Sequence, residues 1–156
     1  MAIFLSIVVG IAAVLALLLV LGRREHAVVG RELRAITATP VQQARKQAED
    51  MLMRPSLFKV QPAAEASAMP GLPSDVAGLF AKYEDISRNE FWLGHAALRE
   101  PARVPGYIKI GGDSEFEEVL VRPGEETIWL SYPEDTLGSK LESLPSVWHK
   151  LLLVAS

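Results

Sequence analysis

The stretch FEEVLVRPGEETIWLSY, residues 116–132, carries two runs rich in β-branched and aromatic residues on either side of a Pro-Gly pair. In its second half Ile128, Leu130 and Tyr132 alternate with Thr127, Trp129 and Ser131. A period of two puts successive side chains on opposite faces, so this half reads as a half-buried strand. Phe116 to Val121 reads as its companion. Between them, Arg122-Pro123-Gly124-Glu125 suits a type II turn: proline presets φ at the second position, and glycine accepts the positive φ of the third. The stretch predicts a hairpin, or two strands joined by a short loop.

Upstream of this pair, Phe91-Trp92-Leu93 and Tyr107-Ile108-Lys109-Ile110 read as further strands, with Gly111-Gly112-Asp113 as a turn. Leu72-Pro73-Ser74-Asp75 is a helix start, and Val76, Leu79, Phe80 and Tyr83 supply its apolar face. Downstream, Pro145 followed by Val147, Trp148, Leu151 and Leu152 at helical spacing predicts a terminal helix. A helix, a run of strands and a helix make an α+β domain over residues 70–156, a small antiparallel sheet flanked by helices.

Before that domain, Thr39-Pro40 opens a further predicted helix, with Thr39 as cap and Pro40 at the first helical position. Its narrow apolar face is Val41, Ala44, Ala48, Met51 and Leu52, and Pro55 stops it. Residues 55–73, punctuated by Pro55, Pro62, Pro70 and Pro73, have the composition of a linker. Residues 23–69 are thus expected to be a basic juxtamembrane segment, a short helix and a Pro/Ala linker.

The beginning of the chain has a different character. From Ala2 to Leu21 there is no charge; fourteen residues are Leu, Ile, Val or Phe, four are Ala, and only Ser6 and Gly10 interrupt them. Twenty helical residues span roughly 30 Å, the thickness of the hydrocarbon core of a bilayer. At about −0.3 to −0.6 kcal/mol for each large apolar residue, insertion is favoured by about 4 to 8 kcal/mol. A cleaved signal peptide would have a basic start, a shorter apolar run and a small-residue cleavage site. Here the run begins at once and ends in Gly22-Arg23-Arg24. Residues 1–22 are therefore expected to be a single transmembrane anchor. Arg23, Arg24, Arg31 and Arg34 follow the span closely, so the positive-inside rule puts the C-terminal domain in the cytoplasm, beneath the plasma or inner membrane.

The charges are segregated as well. Residues 23–59 hold eight Lys/Arg against four Asp/Glu, and residues 60–156 hold eight against fifteen, giving +4 and −7 and the chain total of −3. The basic part suits anionic lipid headgroups. The acidic part would be repelled by phosphates, so nucleic acid is not an expected partner. No cysteine occurs among the 156 residues, which excludes disulfides, zinc thiolates and a cysteine nucleophile.

Motifs for chemistry are absent. His26, His95 and His149 lie far apart in sequence, without metal-ligand spacing, and read as surface or packing residues. Ile110-Gly111-Gly112-Asp113 lacks the remaining residues of a phosphate-binding loop. Ser131, Ser143 and Ser146 stand in no nucleophile elbow. No nucleophile, base and stabiliser occur together, so neither an enzyme nor a cofactor is expected. The most charged feature is the run Asp113, Glu115, Glu117 and Glu118. Asp113, Glu115 and Glu117 share strand parity, so the run is a face for a basic protein partner, a weak site for a hard divalent cation, or a solvated sheet edge.

In the order of its parts, the region 70–156 resembles the SUKH superfamily, whose bacterial members are largely immunity proteins that neutralise secreted toxins. The matching pieces are the helix opened by Leu72-Pro73 with Leu79-Phe80 and Tyr83, the strand Tyr107-Ile108-Lys109-Ile110-Gly111, the pair around Pro123-Gly124, and the closing Leu144-Pro145-Ser146-Val147-Trp148 helix. The resemblance implies a protein-binding role and carries no site residue with it. Two functions stand as expectations. The first is a membrane-tethered protein-binding module, SUKH-like and immunity-like, with the bilayer and an unidentified protein as partners. The second is a small structural or accessory subunit of a membrane complex.

Overall fold

The computed structural model describes residues 33–64, 70–114, 117–134 and 138–156. The expected anchor and most of its basic flank lie outside the described residues. Among the described residues no helix is long and apolar enough to cross a membrane. The chain divides into two compact units, Met1–Ala38 and Thr39–Ser156. Of the first unit, residues 33–37 are helical, and Ala38 N donates to Arg34 O at 3.0 Å.

The second unit is an α+β domain. Its seven strands are β1 (Lys59–Pro62), β2 (Tyr83–Arg88), β3 (Phe91–Gly94), β4 (Ile108–Gly112), β5 (Glu118–Val121), β6 (Ile128–Glu134) and β7 (Gly138–Leu144). They form one sheet in the order of the sequence, each antiparallel to the next. The helices are α1 (Val41–Leu52), α2 (Ser74–Lys82) and α3 (Val147–Ala155), and His95–Arg99 makes a short 3₁₀ helix.

The helices gather on one side of the sheet. Arg88 of β2 donates to Ala155 O at 2.8 Å, and the Lys150 ammonium lies 5.4 Å from the Phe91 ring centroid, so α3 covers the face bearing Phe91 and Leu93. In register with them run Val119 and Leu130, both buried. The alanine face of α1, Ala44 and Ala48 with Leu52, is buried, and the Arg45 guanidinium stacks 5.3 Å from the Trp148 ring. Alanine here permits close approach to α3. Arg45–Asp75 and Lys82–Glu49 contacts of 3.7 and 3.5 Å hold α2 beside α1.

The strand pair at the centre of the sequence forms as the alternation predicts, with Val121 opposite Ile128 and Glu118 opposite Ser131. At its turn Gly124 has φ +83° and Glu125 N donates to Arg122 O at 3.1 Å, a glycine in the third position as expected. Helix α1 starts one residue later than expected, with Pro40 as its cap residue.

Four expectations need correction. Gly111 and Gly112 are not a turn; they complete β4, buried against β3 and β5. A Cβ on Gly111 would lie 2.2 Å from the Trp92 carbonyl oxygen, so only glycine lets the two backbones pair there. The expected linker 55–73 contains β1 and the fully buried Phe58, so the sheet begins well before residue 70. All four β1 residues are exposed, and an edge strand of this kind shows no apolar period to read. Finally, Tyr83 leaves α2 and begins β2, while Leu144 ends β7 instead of opening α3.

Candidate functional site

The four acidic residues do not form one face. Asp113 follows β4 and closes a tight return: its backbone N donates to Glu117 O at 3.1 Å, and its Oδ1 accepts from Glu117 N at 3.0 Å. Glu115 lies outside the described residues. Glu117 and Glu118 are adjacent on an extended chain, so they project to opposite sides of the sheet. Both are buried, at 6% and 7% exposure.

Each buried carboxylate has its own set of donors. On the helical side Glu117 forms an ion pair with Lys150 of α3 and accepts the Tyr132 hydroxyl at 2.6 Å. Burial, and then the hydrogen bond and charge of Glu117 and the charges of Glu142 and Asp113, keep the Tyr132 phenol protonated far above its ordinary range. On the other side Glu118 accepts the backbone N of Arg103 at 2.9 Å, with the Lys109 ammonium 3.8 Å away. These donors are distant in sequence, which is why the run reads as solvated charge when taken alone.

The sheet face that turns away from α3 carries aromatic and cationic side chains under the loop that links β3 to β4. Tyr107 meets Trp129 edge-on, with centroids 6.1 Å apart and planes at 81°. The Arg122 guanidinium lies 5.3 Å from the Tyr107 ring centroid. The Lys109 ammonium lies 5.6 Å from the Trp92 centroid and 2.5 Å from the Glu100 carboxylate. Trp92, Tyr107 and Trp129 are each half-buried. Among the described residues Trp129 Nε1 and Ser131 Oγ are buried with no hydrogen-bond partner. Strand parity unites the set: Lys109 lies opposite Leu120, Leu120 opposite Trp129, and Trp92 opposite Gly112, which pairs Glu118. The one hint in the sequence was that Lys109 and Trp129 stand at polar-phase positions between apolar neighbours.

The described histidines are held in place by the fold. His149 is fully buried; its Nε2 lies 2.9 Å from Thr39 O and its Nδ1 2.8 Å from Ser146 Oγ. A carbonyl only accepts, so Nε2 carries the proton and the Ser146 hydroxyl donates to Nδ1. His149 thereby ties the entry to α1 to the start of α3. His95 bonds Phe80 O through Nε2 at 2.9 Å and packs against the Phe80 ring. Among the described residues no three His, Cys, Asp or Glu side chains gather to hold a metal ion. Set beside protein-family models, curated proteins and solved structures, the chain matches none of them.

Proposed function

We propose that the chain is a membrane-tethered protein-binding module whose contact surface is the aromatic and cationic sheet face around Trp92, Tyr107, Lys109, Arg122 and Trp129. The observation that carries this reading is the stacking of Arg122 on Tyr107 and of Lys109 on Trp92, with Tyr107 braced by Trp129. Trp, Tyr and Arg dominate the energetically important positions of protein interfaces, and pre-stacked side chains lose little entropy when a partner lands on them. The uncharged run Ala2–Leu21 supports the tether, the arginines after it support a cytoplasmic domain, and the SUKH-like order of parts supports a toxin-binding, immunity-like role.

The test uses the full-length tagged chain extracted in mild detergent, with bound proteins identified after cross-linking. A partner held by this face is expected to be lost when Tyr107→Ala and Arg122→Ala are combined, with affinity falling about tenfold or more. Unchanged capture by the double variant overturns the assignment of the face. Capture of membrane subunits in fixed stoichiometry, dependent on residues 2–21 alone, supports the structural-subunit reading instead.

A further inference from the structure

Two clefts lie side by side at the β1 edge of the sheet. One, of about 330 Å³, is polar and is lined by Ser56, Lys59, Ser87, Arg88 and Asn89. The other, of about 420 Å³, is apolar and is lined by Leu52, Met53 and Val60. They share Pro55, Phe58 and Lys59, and no carboxylate lines either of them. Arg88 is fixed for its place by its bond to Ala155 O and by the Phe58 ring 6.0 Å from its guanidinium carbon. Lys59 and the neighbouring Arg54 form no ion pair among the described residues. Beside these cations Met53 is 76% exposed and Val60 36% exposed, two of the four large apolar side chains open to solvent among the described residues.

We propose that this double cleft seats the headgroup of an anionic phospholipid, its phosphate against Lys59 and Arg88, with Met53 and Val60 entering the acyl boundary. A cationic cleft continuous with an exposed apolar one matches the layered polarity of a bilayer surface, which a soluble phosphate ester would use only in half. The inference rests on the tether proposed above. Residues 22–38 separate the uncharged run from this domain, and even fully extended they reach no more than about 60 Å. The edge is thus held at high local lipid concentration. A protein strand adding to β1 is the poorer occupant, because β1 has four residues, ends in Pro62 and shifts register between Gln61 and Pro62.

The chain lacks cysteine, so Met53→Cys in the full-length protein gives a single labelling site at a solvent-exposed position. The variant, carrying an environment-sensitive fluorophore, is reconstituted into nanodiscs of phosphatidylcholine alone or mixed with phosphatidylglycerol. In the anionic discs the emission is expected to shift blue and iodide quenching to fall about threefold or more; raised salt, or Lys59→Glu with an unchanged melting curve, should reverse both effects. A probe that stays quenched in discs that have incorporated the chain overturns lipid docking. Equal protection in both lipids, indifferent to Lys59→Glu, overturns the phosphate contact. Protection of the detergent-solubilised chain by glycerol phosphate alone identifies a free phosphate ester and overturns the lipid. Protection only on adding a protein overturns it in favour of a protein partner. Failure of the chain to enter discs at all overturns the tether itself, and this inference with it.

Discussion

Lys150 and Glu117 place opposite charges where water scarcely reaches, and the contact is worth far more intact than broken. Lys150→Met alone leaves the Glu117 carboxylate with a phenol for company, and its removal from water is no longer offset; a loss of about 3–5 kcal/mol is expected in denaturant unfolding. The double variant Glu117→Gln with Lys150→Met should recover most of that loss, because neither group then carries charge. A neutral single variant would mean that water reaches the pair. Tyr132 extends the cluster to alkaline pH. In the unfolded chain its phenol ionises near pH 10.0, whereas in the folded chain it holds its proton to a higher pH. The stability it contributes is therefore complete below pH 10 and drains away as pH climbs from there, by at most about 1.4 kcal/mol per unit. Denaturation curves collected from pH 8 to 11 should show this decline, and Tyr132→Phe should flatten it. None of this was legible in the sequence: Glu117 and Lys150 are 33 positions apart, and a carboxylate in an acidic run gives no sign that it will be buried.

At the scale of elements, α2 owes its start to a residue far along the chain. Glu126 Oε1 accepts Ser74 N and Ser74 Oγ at 2.7 and 2.8 Å, and its Oε2 accepts Asp75 N at 3.3 Å. Partial burial pushes this carboxyl up, but the three hydrogen bonds outweigh it and the group titrates below 4.5. A depressed folded value means stability present above pH 4.5 and lost as pH falls through the folded value. Glu126→Ala should cost about 1 kcal/mol at neutral pH, and the difference from the unaltered chain should close on acidification. Gly111→Ala should be far more damaging, because its methyl collides with the β3 backbone and the centre of the sheet must open; loss of the cooperative thermal transition is the expected result. The elements visible from the sequence were those with strong period or punctuation: the strands about Pro123-Gly124, and the helices opened by Pro73 and Pro145. Those hidden lacked both. In β1 only Val60 is large and apolar between Lys59, Gln61 and Pro62; β2 follows α2 with no breaker; β7 alternates weakly through Ser139, Lys140, Leu141 and Glu142.

As a whole molecule, the smallest unit able to fold is set by packing across the chain, not by the proline-rich break. His149 bonds Thr39 O, and Ala44, Ala48, Leu52 and Phe58 are all buried. Leu52 and Phe58 alone represent about 1.5–3 kcal/mol each, a large part of the roughly 5–15 kcal/mol that holds a domain folded. Residues 39–156 should therefore melt in one cooperative transition, whereas residues 70–156, the span the sequence alone suggested, should not; calorimetry of the two fragments decides it. The orientation of the proposed tethered domain can be read with a Ser67→Cys chain, because a cysteine at position 53 would be shielded by lipid on either side. A membrane-impermeant thiol reagent should leave it unlabelled in intact cells, and labelling without permeabilisation would put the domain outside. The strictly sequential sheet also has a consequence in time. On the ribosome each strand finds its neighbour already made, so the sheet can grow rung by rung as the chain emerges. Helix α1, made before any strand, must wait for α3, made after all of them. A product interrupted before residue 147 would own a nearly complete sheet and an orphaned helix with its alanine face bare. Quality-control proteases would meet that face on copies interrupted there, so α3 certifies α1.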